Sequence, residues 1–330
     1  MKLRLGTRGS ELALTQSRWV AAQLCAAVAA GGGEPLEIEE VILKTTGDTD
    51  QLSPLHQHSD PGVFTKELER ALLANQVDLA VHSLKDLPTA TPVGLTIAAY
   101  PPREEPWDAW VSETAPDLVD LEDGAHVATG SLRRRAQILN EYPHLVVEGI
   151  RGNIETRIKR SAERGDAGLI LAAAGLRRTG REAHIRGTFT ATEMTPAPGQ
   201  GALALETRAD DVVSIAIVSL LDHAGTRAEV TAERTFLATL EGGCHLPIGA
   251  IARLSSRALT MVGMVATPNG ERLVRMGHEG ESSAPEALGE KLAAAVVRAG
   301  GKEILAEIAA DPALAREGPA GNPSPGDPSP

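Results

Sequence analysis

Aromatic side chains are scarce, at 2% of the 330 residues. The core must therefore be built from Ala, Leu, Val and Ile, and a base-stacking nucleic-acid platform has little to stand on. Cysteine is nearly absent too. Cys25 and Cys244 cannot make a disulfide framework, and two reduced thiols fit the cytoplasm. There is no run of apolar residues long enough to span a membrane, and Met1-Lys-Leu-Arg-Leu-Gly-Thr-Arg8 lacks the apolar centre of a signal peptide. Positive charge is in deficit, with a formal net charge of −12. What remains, 42% hydrophobic and 23% charged residues, is the composition of a globular protein of two or three domains.

The few basic residues are unevenly placed. His126 to Gly187 holds twelve Lys+Arg against six Asp+Glu. A basic island in an acidic chain implies an anionic partner held in one place. Within it a pattern repeats: a short apolar strand, a small residue, a helix start, an arginine. Strand 126–129 leads to Gly130-Ser131 and helix 132–142, strand 145–150 to Arg151-Gly-Asn153 and helix 154–164, and strand 168–173 to Gly175-Leu-Arg-Arg178. Helix starts offer free N–H groups and a positive dipole end, and arginines add bidentate carboxylate binding. Phosphate or nucleic acid would be met by the same parts. Tyr142 is the sole aromatic of the segment, which together with the overall charge opposes nucleic acid.

The first hundred residues read as alternating strands and helices. A strand ends in Thr7-Arg-Gly-Ser10, with Ser10 the expected cap of a helix from Glu11 to about Ala30. Cys25 falls inside that Ala-rich helix and reads as core. Leu36–Leu43 is a strand, 63–75 an amphipathic helix, and 77–82 a buried strand running into Ser83-Leu-Lys-Asp-Leu-Pro88. Lys85 and Asp86 thus belong at the carboxyl end of a central strand, where open α/β sheets bind ligands. Between the strand at 36–43 and the helix at 63–75, His56 and His58 stand in a polar loop, but no cysteine or carboxylate cluster completes a metal site, and no metal is expected.

Thr195-Pro-Ala-Pro-Gly-Gln-Gly201 reads as a stiff linker, after which 202–206 is a strand able to return to the first domain. Helices over 211–222 and 226–239 lead to Leu240-Glu-Gly-Gly-Cys-His-Leu-Pro-Ile-Gly249, which puts Cys244 after two glycines on an exposed turn. Taken alone, such a cysteine is as readily an inert small side chain. Alternating strands with a Pro268-Asn-Gly270 hairpin signal and helices near 285–298 and 302–310 complete a small α+β unit. Residues 318–330, with five prolines and three glycines, read as a disordered tail.

Thr7-Arg-Gly-Ser10, Val81-His-Ser-Leu-Lys-Asp-Leu-Pro88, Gly130-Ser-Leu-Arg-Arg134, Arg151-Gly-Asn153, Ala174-Gly-Leu176, Pro198-Gly-Gln-Gly201 and Leu240-Glu-Gly-Gly-Cys244 occur together and in order. Over roughly residues 1–310 the chain closely resembles the porphobilinogen deaminase family. The resemblance implies two periplasmic-binding-protein-like α/β domains plus a small C-terminal α+β domain. Their expected bounds are 1–101 with 197–220, then 105–193, then 222–312. It also implies a transferase that joins four porphobilinogens head to tail with loss of ammonia, acting as a cytoplasmic monomer without nucleic acid or membrane. A dipyrromethane cofactor would be attached to Cys244 and held by Lys85, Asp86, Ser131, Arg133, Arg134 and Arg157. Asp86 would be catalytic, its carboxylate stabilising the cation that deamination leaves on the pyrrole. Arg8, Ser10, Gln16, Phe64, Arg151, Arg157, Arg178 and Gln200 would hold substrate or the growing chain. One stretch departs from the family's pattern: the loop before Phe64, usually rich in glycine and lysine, is here Leu55-His-Gln-His-Ser-Asp-Pro-Gly62, without lysine. A non-catalytic anion-binding protein with the same two-domain cleft is the alternative, and it would carry no adduct on Cys244.

Overall fold

The computed structural model describes residues 1–43, 65–240 and 246–310. The readings that fall on the loop at 46–62, on Phe64, on Cys244 and on the tail lie outside these residues. In chain order the strands are β1 (Lys2–Arg8), β2 (Glu37–Leu43), β3 (Leu79–Ser83), β4 (Leu95–Ala99), β5 (Asp108–Val111), β6 (His126–Ala128), β7 (Val146–Glu148), β8 (Gly168–Ala172), β9 (Ile185–Thr188), β10 (Leu203–Arg208), β11 (Ile248–Ser255), β12 (Ala258–Ala266) and β13 (Leu273–Glu281). The helices are α1 (Glu11–Ala30), α2 (Lys66–Leu73), α3 (Leu132–Glu141), α4 (Ile154–Arg164), α5 (Ala173–Arg178), α6 (Val212–Val218), α7 (Ala224–Thr239), α8 (Pro285–Val296) and α9 (Lys302–Ala310).

Two five-stranded sheets are built to one plan. The first runs β2-β1-β3-β10-β4 and the second β7-β6-β8-β5-β9. In each, three parallel strands come first and the fourth position is antiparallel to its neighbours. That fourth strand is the one the chain lays down on crossing between sheets: β5 on the way out, β10 on the way back. The returning strand expected from the linker is therefore present, with Leu203 paired to Ser83 and Leu205 to Val81. Gly201 permits the return. Its φ of +84° suits glycine, and a Cβ there would run into the Glu104 carbonyl of the outgoing crossing.

Local sequence explains the elements. In α1, Val20, Leu24 and Val28 recur every fourth residue and face the first sheet beside Leu3, Leu5 and Leu205. Burying each such side chain contributes about 1.5–3 kcal/mol. The opposite face is closed by Leu68 and Leu72 of α2 against Val77 and Ala80. Because both faces are covered, β3 is buried at four successive residues, Leu79 to His82, rather than at alternate ones. Ser10 caps α1 through its side chain, as the sequence predicts, and Ser131 and Asn153, expected at the openings of α3 and α4, cap those helices in the same way. Beyond the two sheets, β11, β12 and β13 form an antiparallel meander. It packs on α7 and α8 through Phe236, Leu240, Leu259, Leu288 and Leu292. Gly270 turns β12 into β13 at a φ of +74°.

Two expectations need correction. The sequence reading had no strand at 108–111 or 185–188. Both are four residues long and owe their strand character to pairing across the sheet. The repeated helix-start-then-arginine pattern holds for α3 and α4 but not for α5. That helix has six residues, and Arg178 closes it instead of opening it.

Candidate active site

Strand β3 ends at the middle of its sheet and turns at once into a 3₁₀ turn, Leu84–Asp86. Leu84 is buried, and its N–H donates to the Ala202 carbonyl at 3.0 Å. The turn is thus pinned to the returning crossing, and Lys85 and Asp86 are placed where the two sheets face each other.

On one side of that turn lies a pocket lined by Arg8, Ser10, Gln16, His82, Ser83 and Asp86, closed by Thr65 and Leu68 at the start of α2. Four of these come from the expected set: Arg8, Ser10, Gln16 and Asp86. Gln16 is buried, and its amide donates to the Ser83 hydroxyl at 3.0 Å. Ser10 holds the first turn of α1 by accepting from Ala13 N–H. The pocket mouth therefore combines a helix start, an arginine and an exposed carboxylate.

On the other side is a buried charge cluster whose centre, Asp108, the sequence reading missed. Asp108 opens β5 and is fully buried. One of its oxygens accepts from Arg134 Nη2 at 2.7 Å, Arg134 Nε at 3.0 Å and Gln200 Nε2 at 2.9 Å. The other accepts from Arg133 Nη1 at 2.7 Å. Burial alone would raise the Asp108 carboxyl, but Arg133 and Arg134 hold it well below the usual carboxylate range. Both arginines are buried, so their charges are fixed by this one acid and by the Thr195 and Ile170 carbonyls. A charged residue heading the apolar run Asp108-Ala-Trp-Val111 was the available signal, because an acid is not buried without cations around it.

The cluster carries more positive charge than Asp108 can balance. Burial pushes the Lys85 ammonium down to about 8; Asp86 opposes that shift, Arg134 adds to it, Asp108 opposes it and Arg133 adds to it. Among the described residues Arg133 uses only Nη1, leaving Nε and Nη2 without a hydrogen bond. The buried Oε1 of Gln200 likewise has no partner. A buried site with surplus cations and unused donors fits a ligand bearing carboxylates, which is the chemistry of a dipyrromethane with its acetate and propionate arms.

The other expected residues are distributed as follows. Ser131 caps α3, directly before the two arginines. Arg178 reaches the returning crossing through the Gly201 carbonyl at 2.7 Å, and burial pushes its guanidinium down to about 10. Arg157 donates to the Gly152 carbonyl at 2.7 Å, and neither it nor Arg151 lines the pocket. Several arginines of the basic island are structural. Arg164 pairs with Asp166, and Arg181 ties the second sheet's unit to the first through Glu11 at 2.8 Å. Cys244 itself lies outside the described residues, between the end of α7 and the start of β11.

Known proteins were compared with this chain. A family model described as "Porphobilinogen deaminase, dipyromethane cofactor binding domain" matches residues 3–215, and "Porphobilinogen deaminase, C-terminal domain" matches 227–298. The porphobilinogen deaminase of Desulforudis audaxviator is 44% identical over 306 residues, covering 93% of this chain and 97% of that one. Those of Syntrophus aciditrophicus and Synechococcus elongatus are 42% and 43% identical over 93% of this chain, and 98% and 95% of their own. Among solved structures, the methionine binding protein MetQ matches 66% of this chain and 88% of its own, with a TM-score of 0.42 and 13% identity. With two family models covering both sheets and the C-terminal unit, this chain belongs to the porphobilinogen deaminase family.

Proposed function

We propose that this protein condenses four porphobilinogens head to tail, releasing ammonia at each step, onto a dipyrromethane joined to Cys244 by a thioether. Hydrolysis then releases hydroxymethylbilane. The observation that carries the reading is the pair of buried cations, Arg133 and Arg134, sharing the one acid Asp108, with half-buried Lys85 and the exposed carboxylate of Asp86 adjoining them. When bound, the cofactor supplies the pyrrole ring on which the product chain is built. Lys85 and the unused donors of Arg133 hold its carboxylates, and Ser131 lies beside them at the helix start. Asp86 sits at the junction of that cluster and the pocket. There its carboxylate can accept from a pyrrole N–H and stabilise the cation left on the substrate when ammonia departs. Arg8, Ser10 and Gln16 orient the incoming substrate's carboxylates, while Arg178 and Gln200 line the crossing. Arg151, Arg157 and Phe64 complete the set we assign to the lengthening chain.

We further read residues 1–101 with 197–220, 105–193 and 222–312 as three domains of a monomeric cytoplasmic enzyme. No helix among the described residues is long and apolar enough to cross a membrane. The deciding experiment is intact mass. The wild type should carry a dipyrromethane adduct, Cys25→Ala should keep it, and Cys244→Ser should be folded, unmodified and inactive. An unmodified wild type, or an adduct that follows Cys25, overturns the proposal and favours a non-covalent anion binder.

A further inference from the structure

Beneath the pocket that Asp86 borders lies a buried pair with no part in the chemistry described so far. His82 Nε2 stands 2.9 Å from Glu206 Oε2. The two residues are 124 apart in sequence and meet because β10 returns antiparallel beside β3. Glu206 is fully buried, and its second oxygen, Oε1, has no hydrogen-bond partner. His82 is 4% exposed, yet it lines the pocket. Its Nδ1 makes no hydrogen bond among the described residues. With Nε2 as the donor to Glu206, Nδ1 is the ring nitrogen left facing the pocket with its lone pair. The other titratable groups around the pair are Glu69 and Lys66 on α2, with Arg8 and Asp86 at the pocket.

We propose that His82, braced by Glu206, is the base that takes up the proton released when each new pyrrole is joined. Condensation forms a C–C bond between the substrate's exocyclic methylene carbon and a free ring α-carbon. The α C–H bond then breaks, its electron pair restores the aromatic ring, and the proton goes to His82 Nδ1. Glu206 stabilises the resulting imidazolium, which returns its proton to solvent before the next cycle. The roles separate cleanly: Asp86 stabilises the cation formed on deamination, and His82 removes the proton that follows. The inference rests on the assignment of this pocket to substrate.

The test compares wild type, His82→Gln, Glu206→Gln and Asp86→Asn, all cofactor-loaded as judged by intact mass. His82→Gln keeps a donor near the Nε2 position but has no base at Nδ1. Single-turnover addition of porphobilinogen should slow about 10²-fold in His82→Gln. A primary isotope effect should appear there when the bound cofactor has been assembled from porphobilinogen deuterated at its free α-carbon, since the terminal ring's C–H is the bond broken, and added imidazole should restore part of the rate. Glu206→Gln, should His82→Gln fail to fold, must show the same isotope effect with a smaller loss. Independently of activity, ¹⁵N shifts of the wild-type His82 ring should report the Nε2–H tautomer, lost in Glu206→Gln. A His82→Gln enzyme within tenfold of wild type and without an isotope effect, or an Nδ1–H tautomer, overturns the proposal in favour of a satisfied core histidine. If Asp86→Asn and Arg8→Leu were also harmless, the pocket's assignment to substrate would fail instead.

Discussion

Lys85 shows how a single side chain is tuned by its surroundings. Burial, with Arg133 and Arg134 nearby, pushes its ammonium from an ordinary value near 10.4 down to about 8 in the ligand-free protein. Below pH 8 the group is charged and attracts a carboxylate; above it the proton is lost before the ligand arrives. Carboxylate binding favours the charged form, so affinity must fall as pH rises through 8. The decline continues until the higher pKa of the complex is passed. Calorimetric binding of porphobilinogen to the cofactor-free Cys244→Ser protein should therefore weaken steadily between pH 7.5 and 9.5, with proton uptake in that window. In a Lys85→Met background the same titration should be weaker at every pH and flat across it. An unchanged slope in Lys85→Met would mean the proton is carried elsewhere.

At the scale of an element, α3 couples folding to binding. Its cap Ser131 accepts from Arg134 N–H, and that same first turn delivers Arg133 and Arg134 to Asp108. Ser131→Ala should cost about 1 kcal/mol of stability through the lost cap, whereas Ser131→Gly should cost only a few tenths. If the hydroxyl serves only the helix, cofactor occupancy by mass should track stability and stay high in the glycine variant. If it also holds a cofactor carboxylate, as we expect, both variants should assemble cofactor slowly while only alanine lowers the melting temperature. Removing Asp108, the β5 acid that α3 delivers its arginines to, is the harsher change. It would leave Arg133 and Arg134 buried without their acid, at a cost of about 3–5 kcal/mol.

Across the whole molecule, one buried acid ties the three sheets' units together. Glu233 on α7 accepts from Arg103 at 2.7 and 3.0 Å, from Gly199 N–H at 2.6 Å and from Ala252 N–H at 2.8 Å. Its partners are the outgoing crossing, the returning crossing and β11. Both crossings are thus fixed to the C-terminal unit, and the charge cluster between the sheets is assembled only in the folded chain. A ligand that binds this cluster and not the unfolded chain must stabilise the fold. Cofactor-loaded wild type should accordingly melt several degrees above cofactor-free Cys244→Ser. The gain should shrink when Arg133→Leu removes one anchor of the bound group. Equal melting temperatures for loaded and unloaded protein would mean the cluster does not hold the cofactor.

Much of this architecture was written locally. The caps Ser10, Ser131 and Asn153, the apolar repeat of α1, the short run Leu79-Ala-Val81 of β3 and the Pro268-Asn-Gly270 turn each depend on neighbours within a few residues. Physical chemistry at that range is set by backbone propensity and side-chain pattern, which a sequence displays directly. The ordered motifs added the family, and with it Lys85, Asp86 and the arginines as a set. Tertiary structure alone decided which charges meet. Asp108 finds Arg133 and Arg134 across 25 and 26 residues, Gln200 across 92, and His82 finds Glu206 across 124. The four-residue strands β5 and β9 were illegible for the same reason, since pairing rather than propensity makes them strands. Burial is a property of the packed chain. Only packing turns an aspartate at the head of an apolar run into the fixed centre of a cation cluster, and a histidine in a strand into a braced base.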